Sequence, residues 1–513
     1  MPVTYRIHPG IGIARVGDSP DDFFIGPEAP GILPTPKKPD DASSLPARYK
    51  DPQGRIKRQG ARFRIYEYTT DDAGGVAKVR EITGAEAEIE WEVHLANRKA
   101  ASLNLRQTHR RNKEIADEND LIIDPGAHRI GGAGRAMQAL RGTFMKTIDV
   151  QLGDLITDAA GRLIVLGGHG QSQSIPGSRL RDFADNDGWC DDAADGPVRA
   201  TLKLHGSAAT IAADPAWVIV APPDFAPSLE NVVTLYDAVY NMMAHFDPGL
   251  GIGDKTKVSF SKDIYPILRR VSSLHWVSKV AARRHGTGKD MHFTSRLKVL
   301  SSNKKEHAPL RQRVFAALRT PDGKGGGNMP KLPDLAVQKA PGAALTEVQY
   351  RRMERWAQGK FSADWRGREP APTPLDRLPE SERPHALDRA ALEACVGGPF
   401  FPGIEASRLM LDKDTYDATR PFRIKADLPP GSLTGPMAVP WQADFNDCSI
   451  EEGADWWPGQ RPNEVRRGRA QHAKWTPKWN HRDMLKKWAQ LGFVVARKVG
   501  SQVEYIEDER SLK

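Results

Sequence analysis

Three side chains in the C-terminal half have types that suggest chemistry: the thiol of Cys395 and the adjacent indoles of Trp456 and Trp457. Two carboxylates, Asp388 and Glu393, precede the thiol in the same segment. Carboxylates close to a reacting group are candidates for proton transfer. Neither segment specifies a reaction by itself, because a buried thiol is most often only a small hydrophobe. What they do depends on the rest of the chain.

Two other segments contain residue types that are common in ligand sites. The loop at 185–196 clusters acidic residues around glycines, but Trp189 takes a ligand position of the calcium-binding EF-hand pattern and no Glu closes the loop. Asx turns account for such a loop more simply, so we favour a structural role over a metal site. The run at 167–170 lacks the spacing of a nucleotide-binding loop and is interpreted as a tight turn.

The segments 388–405 and 455–462 together resemble the cysteine tryptophylquinone (CTQ) oxidases, the family of L-lysine ε-oxidase (L-lysine 6-oxidase) and glycine oxidase. Other segments that resemble this family occur in one order over nearly the whole chain, at 7–17, 24–28, 92–100, 121–126, 166–170, 185–197, 218–226, 263–268, 329–332 and 439–445. So many matches in one order are far more specific than any single motif.

This resemblance implies a cofactor made from the protein itself, in which the sulfur of Cys395 is bonded to the indole of Trp456 or Trp457 and that indole is oxidised to an ortho-quinone. Adjacent side chains of an extended segment point in opposite directions, so only one indole can meet the thiol, and we favour Trp456. The implied function is a quinoprotein oxidase that converts an amino acid or primary amine, with O2, into an aldehyde or oxo acid, ammonia and hydrogen peroxide. A flavoprotein maturation partner is also implied.

The sequence departs from the family at one acid. Members carry Asp four residues before the cofactor cysteine, and here that position is Ala391. Asp388 and Glu393 are the carboxylates near enough to replace it. Asp388 is equally a candidate for the N-cap of the short helix that leads to the thiol. His292 and His481 fall near the positions where glycine-oxidising members place active-site histidines, and they are further candidates for the base.

The missing acid leaves a second function open: a catalytically inactive relative that acts as a binding or interaction protein. The substrate is not readable, because the ε-amine of lysine, the α-amine of glycine and other primary amines differ only in the pocket they need. The oligomeric state, a homo-oligomer included, is also open. Nucleic-acid binding is not favoured despite the net charge of +9, because basic residues alternate with acids along the predicted helices.

The composition is that of an ordinary soluble protein. The 513 residues are 39% hydrophobic, with a mean hydropathy of −0.53, and no stretch approaches the roughly 18 apolar residues of a membrane span. Three cysteines cannot form a disulfide framework, so Cys190 and Cys448 are predicted to be structural thiols. The N-terminus has no signal-peptide features. We therefore expect cytoplasmic synthesis, and the family resemblance leaves export without a signal peptide open.

The elements that must position these residues change type along the chain. Strand patterns occupy the first half, at 3–17, 61–68, 76–80, 87–95, 144–152, 162–166, 198–204 and 217–221, with a hairpin turn at 158–161. Helical periodicity follows at 229–246, 264–282, 310–318, 345–361 and 481–491, the last capped by Asn480. The sequence predicts an α+β fold, with a β-rich domain at 1–250 and a mixed helical domain at 251–513 that carries the cofactor segments.

Overall fold

The computed structural model describes residues 2–36, 48–253, 256–322, 325–327, 329, 344–397, 408–448, 459–468, 472–500 and 502–511. The strands in these ranges are β1 (Val3–His8), β2 (Ile11–Arg15), β3 (Phe23–Ile25), β4 (Thr35–Pro36), β5 (Arg58–Thr70), β6 (Val76–Ile82), β7 (Ala87–Val93), β8 (His128–Gly131), β9 (Gln138–Phe144), β10 (Ile148–Thr157), β11 (Leu163–Gly167), β12 (Ser172–Ser174), β13 (Trp189–Asp191), β14 (Ala194–Leu204), β15 (Ile211–Ala212), β16 (Ala216–Ala221), β17 (Glu464–Val465), β18 (Ala473–Lys474), β19 (Phe493–Val499) and β20 (Gln502–Asp508).

The helices lie mainly in the C-terminal half. They are α1 (Leu235–Phe246), α2 (Tyr265–Ser273), α3 (Lys279–His285), α4 (Leu297–Leu300), α5 (Ala308–Ala316), α6 (Glu347–Ala357), α7 (Arg383–Glu393), α8 (Trp441–Cys448) and α9 (His481–Lys487). The predicted α+β class, with a β-rich first half and a more helical second half, is confirmed.

One mixed sheet organises the first half. Its main path runs β8-β7-β14-β16-β2-β5-β11-β10-β9. At its centre β16 and β2 are parallel, with Trp217 opposite Ile11 and Ala221 opposite Arg15. The neighbours β14 and β5 join this pair in antiparallel fashion. The carboxyl ends of β2 and β16 therefore meet at one edge of the sheet.

The alternation of side chains along β2 divides the core between the two faces of the sheet. Ile11 and Ile13 are buried in a cluster with residues of α1 and α7. Ala14 and Val16 are buried in a larger cluster on the other side. Because Arg15 follows the same alternation as Ile11 and Ile13, its side chain lies on the face covered by α7, and this is the face that carries Cys395.

A predicted helix start is confirmed where a capping residue marks it in the sequence. Asn480 caps α9, since its side chain accepts from the Asp483 amide. The predicted helix at 229–246 begins only at Leu235, because Thr234 and Asp237 form a capping box there. The predicted helix at 264–282 is divided into α2, a short 3-10 turn at 274–276 and α3.

The hairpin with its turn at 158–161 is confirmed, with Thr157 opposite Leu163. The predicted strand at 144–152 is confirmed only in part, since residues 148–152 belong to β10 but the chain turns at 145–147, between β9 and β10. Met145 and Lys146 both have a positive φ there. The period-2 pattern continues through this turn, so hydrophobicity alone did not reveal it.

The prediction that Asp388 caps a short helix is also wrong. Helix α7 begins at Arg383, with Pro384 in its first turn, so Asp388 lies in the middle of the helix. Proline fits the first turn of a helix because its missing N–H has no intrahelical acceptor there. Cys395 lies just beyond the end of this helix.

The larger core cluster includes buried residues from both halves of the chain, from Tyr5 to Val495. The predicted domain boundary near residue 250 remains a prediction. Among the described residues, no helix is both long enough and apolar enough to cross a membrane.

Candidate active site around Cys395

A short β-bridge fixes the position of Cys395. The Leu235 amide donates to the Cys395 carbonyl at 3.0 Å, and the Gly397 amide donates to the Val233 carbonyl at 3.0 Å. A Cβ at position 397 would clash with the Thr234 carbonyl, so this approach requires glycine. The segment that carries the sulfur is therefore held against the start of α1.

The sulfur is buried, with 4% of Cys395 exposed. The Arg15 Nη2 lies 3.6 Å from Sγ and also donates to the Ala394 carbonyl at 3.1 Å. The Arg15 Nη1 donates to the Pro222 carbonyl at 2.9 Å. One guanidinium thus ties the end of α7 to the strand ends, and a neighbouring cation stabilises negative charge on a sulfur.

Cys395 lies beyond the carboxyl ends of the two parallel strands. Arg15 is the last residue of β2, and Pro222 follows the last residue of β16. In open sheets with parallel strands, ligand sites commonly form outside these carboxyl ends. The location of the sulfur agrees with that rule.

Two buried amides, those of Asn231 and Gln460, adjoin the same region. Asn231 precedes the residues that bridge to Cys395, and a Cβ at Gly459 would lie 2.8 Å from its side-chain nitrogen. The next residue, Gln460, accepts a hydrogen bond from the Phe225 amide through its main-chain carbonyl. Among the described residues, neither polar atom of the Gln460 side chain has a hydrogen-bond partner, and Asn231 Oδ1 has none either.

Asp388 is buried in a polar cluster rather than lying free near the thiol. Its carboxylate is 3.0 Å from His8 Nδ1 and accepts from the Gly10 amide at 2.6 Å. Burial would raise the pKa of Asp388, but the interactions with His8 and Arg423 outweigh it and hold the pKa below its ordinary value. This is the opposite direction to the raised pKa expected of a base near neutral pH.

Glu393 is engaged by two arginines. Its Oε1 lies 2.7 Å from Arg389 Nη2 and 3.2 Å from Arg270 Nη2. Arg270 also pairs with Glu230 and Asp237, so it links α7 to α1 and α2. The contacts of Glu393 are those of an ion-pair network between helices.

His292 lies in a separate group of histidines. Its ring is 5.6 Å from that of His275, in an edge-to-face arrangement. Burial lowers the pKa of His292 and lowers that of His275 to about 4. No contact among the described residues joins His292 to Cys395.

His481 occupies the first position of α9, where its Nδ1 lies 3.4 Å from the Asn446 side chain on α8. In the sequence, helix α8 is followed by the segment that contains Trp456 and Trp457. Both tryptophans lie outside the described residues, so the choice between them remains a prediction. Of the titratable residues predicted for the site, His481 is the one that contacts α8 within the described ranges.

The acidic loop connects the sheet to the C-terminal half. Asp191 pairs with the buried Lys99 at 2.8 Å and accepts from the Trp441 amide. Asp195 accepts from Trp217 Nε1 and the Thr434 hydroxyl. These bonds give the loop the structural role that the sequence favoured. Within the described ranges, no three His, Cys, Asp or Glu side chains are grouped as metal ligands.

Asp192, in the same loop, is a buried acid that the sequence did not distinguish from its neighbours. Its Oδ2 accepts from the Gly170 amide at 2.7 Å, whereas Oδ1 has no partner among the described residues. Burial and the charge of Asp191 raise the pKa of Asp192 to about 7.

Sequence reasoning also missed Arg15, Asn231 and Gln460. Arg15 could have been found from the sequence, because it lies within the segment 7–17 that resembles the family. Gln460 lies just after the Trp-Trp-Pro-Gly run. Asn231 belongs to no motif, and nothing in the sequence points to it.

Two family models match the chain. The model described as L-lysine epsilon oxidase N-terminal matches residues 8–220, and the L-lysine epsilon oxidase C-terminal domain matches residues 326–475. The first match covers most of the sheet, and the second covers α7, Cys395 and the tryptophan pair.

Similar proteins include the L-lysine 6-oxidase of Marinomonas mediterranea, which is 28% identical over 548 aligned positions that cover 88% of this chain and 72% of the relative. A crystal structure of the Schiff base intermediate of L-Lys ε-oxidase from that organism with L-Lys has a TM-score of 0.77 at 22% identity, covering 99% of this chain and 95% of that one. A second structure of the enzyme gives a TM-score of 0.78 at 22% identity, with the same coverages. These structural similarities show a shared fold.

Proposed function

Because the chain belongs to the L-lysine ε-oxidase family, we propose that it is a CTQ-dependent oxidase of an amino acid or primary amine. The overall reaction consumes the amine, O2 and water and releases an aldehyde or oxo acid, ammonia and hydrogen peroxide. The C–N carbon is oxidised by two electrons, and O2 is reduced by the same two electrons to peroxide. Lysine is the natural first substrate to test, since the relative is an L-lysine 6-oxidase.

The observation that carries this proposal is the placement of the sulfur. By its motif the family's cofactor cysteine corresponds to Cys395, which is buried against Arg15 and is followed by Val396, the residue that forms the β-bridge with Thr234. A thioether to an indole requires a sulfur that is fixed and shielded from competing oxidants, and this environment meets both needs.

Cys395 would hold the cofactor together with Trp456 or Trp457, and Trp456 is favoured. The oxidised indole would supply an electrophilic carbonyl for a primary amine, which no ordinary side chain offers. Arg15 keeps the sulfur and the end of α7 in a fixed position. Burial around Cys395 excludes water from this side of the pocket.

We propose His481 as the group that removes the proton from the carbon next to the nitrogen. Asp388 is held by His8, Glu393 by two arginines, and His292 belongs to another histidine group. Histidine is the side chain that most often transfers protons in active sites. His481→Gln should reduce kcat by about 100-fold or more with little change in cofactor content. Unchanged turnover would exclude His481 as the base.

The function is tested by intact mass and peroxide release on protein purified from its own host. The mature chain should gain two oxygen atoms and lose the hydrogens displaced by the new bonds, and amino acids and amines should be screened for peroxide. An unmodified mass together with no peroxide would refute the proposal. That result would favour the binding relative, which the alanine at position 391 already suggests.

Maturation is expected to need the flavoprotein partner, because inserting oxygen into an indole requires an oxidant and the sequence has no flavin-binding fingerprint of its own. Expression of this chain alone in an unrelated host should give mostly the unmodified mass. Full quinone content under those conditions would show that no such partner is needed.

A further inference from the structure

Most of the net positive charge of the chain is concentrated in one short segment. Residues 283–313 contain nine lysines and arginines but only two acids, a net charge of +7, whereas the whole chain carries +9. Outside this segment, cations and acids nearly balance. Because basic residues do not alternate with acids within the segment, its own sequence leaves most of this charge without a counter-charge.

The segment folds as a layer of short helices and turns, which we call the basic layer. It runs from the last turn of α3 through α4 into α5. The Phe293 amide donates to Ser272 Oγ on α2 at 3.1 Å. Trp356 Nε1 on α6 donates to the Leu300 carbonyl at 2.9 Å. Since Phe293 and Leu300 are also buried, the inner side of the layer packs on α2 and α6, and its exposed side chains lie on the outer side.

Ion pairs and main-chain hydrogen bonds account for both acids of the layer and for three of its cations. Arg296 lies 3.7 Å from Asp290, and Lys304 lies 3.9 Å from Glu306. Arg311 is buried and donates to main-chain carbonyls. The other six cations are exposed and form no ion pair with a described residue: Arg283, Arg284, Lys289, Lys298, Lys305 and Arg313. Such a surface attracts a partner that carries many negative charges.

The composition of the layer indicates which kind of polyanion fits. Single-stranded nucleic acids stack their bases on exposed aromatic rings, but Phe293 is the one Phe, Tyr or Trp of the segment and it is buried. Protein interfaces are commonly anchored by Trp or Tyr side chains, and the segment has neither. The six cations are divided among α3, α4, α5 and the turns between them. They do not follow one helix that could enter the groove of a duplex.

An anionic bilayer requires none of these features. Its lipids move laterally, so scattered cations on long flexible side chains can each meet a headgroup without a fixed pattern. Each lysine or arginine close to such a surface strengthens binding by about fivefold. We propose that the outer side of the basic layer binds the surface of a bilayer that contains anionic phospholipids. This binding is separate from the proposed oxidase function and does not need the quinone.

Flotation of the purified full-length protein with lipid vesicles tests the proposal. Wild-type protein should float with vesicles of equal parts phosphatidylglycerol and phosphatidylcholine at about 0.1 M salt, and not at about 1 M salt, because salt screens the charges. It should not float with vesicles of phosphatidylcholine alone. A variant without four of the exposed cations should bind the anionic vesicles at least about 100-fold more weakly; its substitutions are Arg283→Gln, Arg284→Gln, Lys298→Gln and Lys305→Gln.

A matched control removes the same number of charges from the N-terminal half. Its four side chains are exposed and form no ion pair with a described residue, and its substitutions are Lys78→Gln, Arg106→Gln, Arg141→Gln and Lys203→Gln. The control should bind the anionic vesicles nearly as well as the wild type. Both variants should melt close to the wild-type Tm, because exposed side chains without partners contribute little to stability.

Three results would overturn the proposal. Wild-type protein that does not float with the anionic vesicles would exclude a lipid surface and leave an acidic protein as the partner of the layer. Equal losses of binding in the two variants would show that the net charge, and not the basic layer, drives binding. Tighter binding to a DNA duplex of random sequence than to the vesicles, at the same phosphate concentration, would identify a nucleic acid instead. None of these measurements depends on the quinone, so failure of the proposed function would leave this inference standing.

Discussion

Replacing Asp388 by asparagine separates a structural role from a chemical one. From the sequence, this substitution should barely change the Tm, because asparagine caps a helix about as well as aspartate. The structure removes that argument, since Asp388 lies inside α7 and not at its start. Asp388 is 5% exposed, and its carboxylate holds the buried segment at His8 and Gly10.

The expected loss can be worked out from these contacts. Asparagine keeps one oxygen for the Gly10 amide but removes the charge that His8 and the buried Arg423 face. Hydrogen bonds to charged groups contribute about 1.5–3 kcal/mol, and breaking a buried pair costs about 3–5 kcal/mol. We expect Asp388→Asn to lose about 3 kcal/mol. With an unfolding entropy of about 2 cal/mol/K per residue over 513 residues, the Tm should fall by about 3 °C if the chain unfolds as one unit.

The loss of stability in Asp388→Asn should depend on pH in a direction set by the pKa of Asp388. The pKa of Asp388 is below its ordinary value of 3.8 in the folded protein, so its stabilising effect is present above that value and disappears as the pH falls through the folded pKa. The Tm difference between wild type and Asp388→Asn should therefore be constant from pH 6 to 8 and shrink below about pH 4.

Thermal unfolding followed by tryptophan fluorescence at several pH values provides the assay. Glu382→Gln is the matched control, because this residue occupies the true cap position of the same helix and its side chain makes no capping hydrogen bond. It should change the Tm by less than about 1 °C. If Asp388→Asn melted with the control at pH 7, the buried carboxylate would not stabilise the fold and the reasoning would be refuted.

The remaining predictions concern the thiols, the missing acid and the buried acid of the loop. Cys395→Ala should fold but show neither quinone absorbance nor peroxide release, whereas Cys190→Ala and Cys448→Ala should retain both; a chromophore in Cys395→Ala would contradict the assignment. Ala391→Asp should be tolerated, with unchanged or higher turnover, because Ala391 lines a small cavity with Gly12 and Leu387; failure to fold would contradict this. Asp192→Asn should raise the Tm at pH 8, and this gain should vanish below about pH 4. The pKa of Asp192 is higher in the folded protein than in the unfolded chain. Its ionisation therefore lowers the stability as the pH rises from the unfolded-state pKa to the folded-state pKa. An equal gain in Tm at every pH would refute that explanation.

The sequence by itself determined the features that depend on neighbouring residues. The α+β class followed from the change in hydrophobic period, the hairpin turn from its Asp-Ala-Ala-Gly residues, and the start of α9 from Asn480. The family and the cysteine that would carry the cofactor followed from ordered motifs. Each of these signals is read from short runs of consecutive residues or from the order of such runs along the chain, so no knowledge of long-range contacts was needed.

The tertiary structure decided everything that depends on distant partners. Asp388 appeared to be a cap or a base because the sequence does not show His8, which lies 380 residues away. Glu393 likewise meets Arg270, 123 residues away. Arg15, at the end of β2, is the charged neighbour of Cys395. The buried amides of Asn231 and Gln460 come from two other segments of the chain. Ionic and hydrogen-bonding partners are set by how strands and helices pack, and the local rules of caps and periodicity carry no information about that packing.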